Sequence, residues 1–427
     1  MICGKLVYGL VRKTVMMLPP LNGLKEMVMA ADASITTTGF HVRCQRSGLV
    51  TALQAADAVV PSSSAKPILT NLLLDAHTDY LEIAATDLQV GLCSKISQLE
   101  IVVPGQVVVS ARKLVNILKE SRSRTVDMML DQHNDTGQLI IELSDGTYRL
   151  PAVIGESFPQ VSAFPEGEPA VTMPANILAT MLKRTSFAVD RERTSAVLSG
   201  VLVRMDGEQL LMAATDGKVL AEYCLDLASS DKIQVEMDQL QAIIPAATVS
   251  HLMRILESGG QGMMYLTVVG KLIFVRIQLD HEDAQQYPVM VELTSRCIDG
   301  NYPPYRNALP SGSSQRMTFN RDELASAVRR TALMTSSASP GIILSLRSGA
   351  AELSNLFNTA GSVQIPLACD YQGEAIRMGL NAGYLNSVLK SLDGDEVIFE
   401  LNGPGKGIIT RQENSTYLVM PISLPNA

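Results

Sequence analysis

The sequence predicts an α+β protein built from one module used three times. Three observations predict it. A short strand running into an amphipathic helix occurs three times, and a second helix follows each at a nearly constant offset. Between the helices, apolar and polar residues alternate and are punctuated by turn dipeptides. At 427 residues the chain exceeds the ~250–300 residues that one core supports, so several domains are expected on length alone.

The first element reads Val42-Arg43-Cys44 followed by Gly48-Leu49-Val50-Thr51-Ala52-Leu53. It recurs as Val171-Thr172-Met173 before Ile177-Leu178-Ala179-Thr180-Met181-Leu182, and as Met317-Thr318-Phe319 before Glu323-Leu324-Ala325-Ser326-Ala327-Val328. Leu49/Leu53, Leu178/Leu182 and Leu324/Val328 are spaced i, i+4, one face of a helix. Asn176 and Asn320/Asp322 are expected at the caps or first turns.

The second element is Ser110-Ala111-Arg112-Lys113-Leu114-Val115-Asn116-Ile117-Leu118. It is repeated from Pro245 and from Asn381, at offsets of 135 and 136 residues. Each copy follows a Val- or Ile-rich strand and a small or capping residue.

The third element is an extended segment ending in a turn. Ala84-Ala85-Thr86-Asp87 parallels Ala213-Ala214-Thr215-Asp216, with a degenerate copy at Ala351-Glu352-Leu353-Ser354-Asn355. Strands such as Leu139-Ile140-Ile141-Glu142-Leu143 and Lys271-Leu272-Ile273-Phe274-Val275-Arg276 have period 2. Asp145-Gly146, Asp206-Gly207 and Asp393-Gly394 are expected hairpin turns. Pro/Gly-rich joints at Phe158–Pro169 and Asp299–Ser314 divide the chain into 39–164, 165–312 and 313–427. Residues 1–38 fall outside the repeat. They read as a disordered extension or an overcalled start, since Met16, Met17, Met27 and Met29 are alternative starts.

Composition narrows the function. Hydrophobic residues make up 46% and charged residues 18%, which excludes a mainly disordered chain. With no Trp and 8 Phe, the cores must be built from aliphatic residues and the 20 Met. The six Cys form no C-x-x-C pair, which points to unpaired thiols in a reducing, cytoplasmic setting. No apolar run is long enough to span a membrane. The net charge of −8 argues against bulk electrostatic binding of nucleic acid or anionic membrane.

Catalytic signatures are missing from the sequence. Gly403-Pro404-Gly405-Lys406-Gly407 lacks the upstream Gly and the Ser/Thr of a phosphate loop and reads as a hairpin turn. The five His are isolated, no metal site is expected, and His251 reads as a packing residue. Asp87 and Asp216 recur at one structural position, which favours turn capping over general-base chemistry. No cofactor is expected.

Positive charge is concentrated near the helices. Residues 110–124 carry net +4, 174–194 carry +2, and 43–57 and 320–331 carry +1 each, leaving −16 for the rest. Ordinary solvated helix faces are one reading. The other is a basic surface shared by the helices beside acidic sheets.

Four stretches, in this order on a threefold repeat, resemble the bacterial beta sliding clamp family. They are Lys66-Pro67-Ile68-Leu69-Thr70-Asn71-Leu72-Leu73, Ala214-Thr215-Asp216-Gly217, Asp299-Gly300-Asn301-Tyr302-Pro303-Pro304-Tyr305-Arg306 and Tyr417-Leu418-Val419-Met420-Pro421-Ile422-Ser423-Leu424. The resemblance covers 39–427. It implies three clamp domains, each with two helices and flanking antiparallel sheets, pairing head to tail as a homodimer into a six-domain ring. Such a ring encircles double-stranded DNA without reading sequence. It catalyses nothing and tethers the DNA polymerase III core and other replication and repair proteins.

The family's partner cleft takes short linear peptides, including those of the clamp loader. It maps here to Leu198, Thr215, Gly217, Lys218, Val219, Leu220, Pro303, Asn307, Ala308, Leu418, Met420, Pro421, Ile422, Ser423 and Leu424. Lys218 stands where a His is usual, and Val219, Asn307 and Ser423 stand where Arg is usual, so the rim is less basic. The chain also continues past Leu424 by Pro425-Asn426-Ala427. DNA-facing candidates are Lys66, Arg112, Lys113, Lys119, Lys183, Arg184, Arg329 and Arg330. Ser63, Ala196, Val197, Ala246 and Ala247 occupy positions that are basic or aromatic in the family. Phe158, Leu333 and Met334 match the ring interface. Two rival functions are an enzyme using Asp87 or Asp216, and a repeat-built protein-interaction scaffold without DNA.

Overall fold

The structure, a computed structural model, describes residues 39–427 apart from 134–135, 154–155, 230–231, 238, 258–261, 280–287, 311, 313–314, 337–339, 357–360, 404 and 425–427. The expectations for residues 1–38 and for Pro425-Asn426-Ala427 therefore lie outside the described residues.

Among the described residues six α-helices occur in three pairs: α1 (Arg46–Asp57) with α2 (Ala111–Glu120), α3 (Ala175–Thr185) with α4 (Ala246–Glu257), and α5 (Arg321–Ala332) with α6 (Ala382–Lys390). The i, i+4 residues form the inward stripe: Leu49, Leu53, Leu178, Leu182, Leu324 and Val328 are at most 2% exposed. Ala52, Ala55 and Ala56 add small buried side chains to α1, which packs against strands of both the first and second modules. Truncating Leu53 to Ala is expected to cost about 2–5 kcal/mol.

Helix starts follow two chemistries. Asn320 Oδ1 accepts the Glu323 N–H at 3.0 Å, and Asn381 Oδ1 accepts those of Gly383 and Tyr384. Asn176 does not cap. Helix α3 begins after Pro174, and the Ala175 N–H instead reaches the Gly262 carbonyl at 2.8 Å.

Each module contributes a four-stranded and a five-stranded set, all antiparallel. In the second module these run Val219–Asp226, Gln209–Thr215, Gly200–Asp206, Gln241–Pro245, and Val289–Arg296, Leu272–Leu279, Met263–Val269, Val171–Pro174, Gln234–Val235. Asp145-Gly146 and Asp206-Gly207 close hairpins as expected. Asp393-Gly394 instead links α6 to the strand Glu396–Leu401, because a helix and not a strand precedes it.

Modules join edge to edge. Val90–Ser97 of the first pairs with Val289–Arg296 of the second, from Ser295 opposite Val90 to Val289 opposite Ile96. Val219–Asp226 of the second pairs with Ser415–Val419 of the third, from Tyr223 opposite Ser415 to Val219 opposite Val419. Each seam thus joins the four-stranded set of one module to the five-stranded set of the next. The core is aliphatic and methionine-rich: Met128, Met173, Met181, Met212, Met264, Met317 and Met378 are all at most 1% exposed. The five described cysteines are free thiols.

Helices also bridge the seams. His251 Nδ1 and Arg254 Nη1 of α4 both contact the Ala58 carbonyl at the end of α1, at 2.6 and 2.9 Å. Arg184 of α3 pairs with Asp393 beyond α6 and donates to Ser415 Oγ at 3.1 Å.

Candidate functional site

The second seam has two faces because strand side chains alternate. Val219 and Val419 point into the main core. Leu220 and Leu418, paired across the seam, point outward. They form a separate apolar cluster with Leu202, Leu211, Ala213, Ile243, Tyr305 and Ile409, packed by Tyr302 and Leu309. The aromatic residues come from the linker after Asp299, which lies over this face. The linker is held by the Thr215 N–H donating to Tyr302 Oη at 3.1 Å, and by Tyr305 and Arg306 donating to Glu222.

The turn at Thr215-Asp216 forms the next part of this surface. Asp216 Oδ1 accepts the N–H groups of Lys218 and Val219 at 2.8 and 2.9 Å, and Thr215 Oγ1 donates to the Val219 carbonyl at 2.6 Å. Gly217 has φ +84°, the left-handed conformation for which glycine carries no Cβ penalty. The first module repeats this turn: Asp87 Oδ1 accepts from Gln89 and Val90, with Leu88 at φ +74°. Both Asp carboxylates are therefore engaged in turn geometry.

The C-terminal segment closes the surface. The Met420 N–H donates to the Lys218 carbonyl and the Ile422 N–H to the Gly379 carbonyl, at 2.8 and 2.9 Å. The tail thus crosses from the seam to the four-stranded set of the third module. Gly379 permits this approach, since a Cβ there would meet the Ile422 carbonyl at 2.8 Å. Beside the turn, a cavity of about 520 Å³ is lined by Phe187, Asp190, Asp216, Lys218, Asn381 and Tyr384.

Among the cleft candidates, Leu220 and Leu418 share one cluster, and Thr215, Gly217, Lys218 and Met420 meet at the turn. Pro303, Asn307 and Ala308 are exposed on the covering linker. Leu198, Pro421, Ile422 and Leu424 are half-buried, and Ser423 is exposed. Val219 departs from expectation. It packs in the main core, whereas its neighbour Leu220, equally buried at 2% exposure, packs on the opposite face under the linker. Sequence reasoning missed Asn381, Tyr384, Glu222 and Tyr305. In sequence the first two belong to the start of a repeated helix, and a mid-strand Glu carries no local signal of burial.

On the helices, Arg112, Lys113, Lys119, Lys183, Arg329 and Arg330 are exposed, as is Lys66 before the 3-10 turn Pro67–Thr70. The six helices hold eleven Lys or Arg against five Asp or Glu, net +6, in a chain of net −8. Arg184 departs from the expected DNA-facing role. Its side chain is 12% exposed, paired with Asp393 and set over the Tyr223 ring. This pairing ties α3 to the third module and engages the guanidinium with a carboxylate and a hydroxyl across the seam.

At the ends of the chain's sheets, Leu333 is 80% exposed just past α5, beside half-buried Met334. Phe158 packs on a small cluster of Ile68, Leu69 and Val108. Gln364–Ala368 and most of Gly146–Val153 each present one edge with no strand partner among the described residues. These are the third-module and first-module strands equivalent to those joined at the two seams. No group of three or more His, Cys, Asp or Glu among the described residues is placed to hold a metal, and no described helix is long and apolar enough to cross a membrane.

Three family profiles match this chain: the N-terminal, central and C-terminal domains of the DNA polymerase III beta subunit, over residues 40–162, 172–304 and 306–423. The beta sliding clamp of Pseudomonas putida is 27% identical over 387 residues, covering 90% of this chain and 100% of the relative. That of Caulobacter vibrioides is also 27% identical, covering 88% and 98%. The crystal structure of the DNA polymerase III beta subunit from Pseudomonas aeruginosa superposes with a TM-score of 0.77 at 26% identity, covering 90% of this chain and 100% of the other.

Proposed function

This chain belongs to the DNA polymerase III beta subunit family and is a non-catalytic DNA sliding clamp, and we propose that two copies close head to tail into a ring on duplex DNA. One observation carries the ring. Both internal seams pair the four-stranded set of one module with the five-stranded set of the next, which leaves one edge of each kind at the chain's two ends. Joining Gln364–Ala368 to the Gly146–Val153 strand of a second copy repeats the same seam, and a two-fold closes the ring with every strand of this kind paired. Exposed Leu333 with Met334, and Phe158 at the opposite end, are apolar groups suited to that contact.

In this ring the domains are 39–164, 165–312 and 313–427, and the basic helices line the hole. Arg112, Lys113, Lys119, Lys183, Arg329 and Arg330 attract phosphates without reading bases, so the clamp slides. Lys66, exposed before the turn Pro67–Thr70, adds a further positive charge. Retention comes from topology, and the net acidity discourages gripping over the whole surface.

The seam surface of Leu220, Leu418, Lys218, Met420 and the linker residues Pro303, Asn307 and Ala308 is the cleft. There the polymerase III core and the clamp loader dock short apolar peptide segments. The bound carboxylates of Asp87 and Asp216 and the family membership leave neither the enzyme nor the DNA-free scaffold favoured.

The test is to load the clamp on nicked circular DNA with a clamp loader and then linearise the DNA. Retention on circles and loss from linear ends is expected. Equal retention on both would overturn the ring.

A further inference from the structure

We propose that Glu222 is a positioning residue for the partner cleft: its buried carboxylate pins the interdomain linker and so sets the cleft wall formed by Asn307 and Ala308. The proposal rests on the cleft reading above.

Glu222 lies in the middle of the second seam, opposite Thr416, and is 7% exposed. By strand alternation it shares the outward face with Leu220. A carboxylate buried there is costly unless its oxygens are bonded and its charge is paired. The linker bonds one of the carboxylate's oxygens twice and pairs its charge. Glu222 Oε2 accepts from Tyr305 Oη at 2.5 Å and from Arg306 Nε at 2.8 Å. Arg306 Nη1 extends the contact to Asp206 Oδ2 at 3.3 Å, and Arg204 reaches the same carboxylate at 3.0 Å.

Tyr305 and Arg306 open the 3-10 turn Tyr305–Ala308, so fixing them fixes the exposed Asn307 and Ala308 one step further on. The turn's other anchor is Tyr302 on Thr215, which sits beside Lys218. The linker is thus held at two points on the strands that carry the cleft floor. Loss of Glu222 frees the wall while leaving the floor and both seam ladders in place.

The first seam supplies an internal control. There Glu292, 3% exposed, accepts from Arg276 at 2.7 Å and from the N–H of linker residue Phe164 at 3.4 Å. Its linker covers no cleft candidate. A buried Glu that serves stability alone would behave alike at both seams.

The experiment measures binding of the DNA polymerase III core to full-length clamp for E222Q, E292Q and Met420→Asp, with thermal unfolding of each. Glu222→Gln is expected to weaken the core about tenfold, the scale of one charge-assisted hydrogen bond. Glu292→Gln should leave the affinity unchanged at a similar loss of Tm, and Glu222→Asp should restore part of it. Faster amide exchange at 305–309 in E222Q should accompany the loss. Equal weakening by E222Q and E292Q, or none by E222Q while Met420→Asp abolishes binding, would overturn the proposal. Full binding by Met420→Asp would instead overturn the cleft.

Discussion

Tyr384, on the helix α6 of the third module, donates its hydroxyl proton to Asp216 Oδ2 in a turn of the second. The same carboxylate's Oδ1 accepts the Lys218 and Val219 amides. One Asp therefore shapes its own turn and ties that turn to the neighbouring module. Tyr384→Phe removes only the tie. It is expected to cost about 1–2 kcal/mol, as for a hydrogen bond to a charged group, read as a lowered urea midpoint at unchanged m. An unchanged midpoint would contradict this role.

The two equivalent turns predict opposite responses to glycine. Leu88 holds φ +74° while 54% exposed, so Leu88→Gly removes left-handed strain and little packing. A gain of about 0.5–1 kcal/mol is expected. Gly217→Ala, at φ +84°, should lose about 1 kcal/mol. Denaturant unfolding of the two variants checks both signs.

His251 makes the first seam sensitive to acid. Burial, the largest cause, pushes its pKa below the ordinary histidine value, against the opposing pull of the Ala58 carbonyl. The unfolded chain then binds the proton more readily, so stability rises with pH between the folded and unfolded values. The contribution is complete above about pH 6.5 and declines as the pH falls below it. Tm recorded from pH 5 to 8 should show this slope, and His251→Gln should flatten it.

In the proposed ring, assembly is expected to depend on the exposed pair after α5. Leu333→Ala with Met334→Ala should shift a dimer toward monomer in sedimentation velocity and abolish retention on nicked circles. A dimer of unchanged mass would discredit that interface.

In the proposed ring, the exposed charge on α2 is expected to attract DNA. Arg112→Ala with Lys113→Ala should lower the salt dependence of DNA binding, by a slope of about 2 in log–log form if both meet phosphates. Retention of the loaded ring on circular DNA should persist, because topology and not charge holds it.

The module was legible in the chain: the helical stripes, the period-2 strands and the Asp-capped turns all arise within short stretches of residues. Their physics is local, so repetition alone exposed them. How the modules meet emerged only from the folded chain. Val90–Ser97 finds Val289–Arg296, and Arg184 finds Ser415, across separations of 197 and 231 residues typified by Lys95–Glu292 and Arg184–Ser415. Nothing nearby in the chain encodes such register. The same distinction governs single residues. Val219 and Leu220 are equivalent aliphatics in sequence, yet alternation at the seam buries one in the core and leaves the other under the linker. Arg184 reads as a DNA-facing helix cation until Asp393 is brought beside it, and only the joined modules place Tyr305 and Arg306 over Glu222. Burial and pairing are properties of the partner surface, and that surface exists only once the modules have joined.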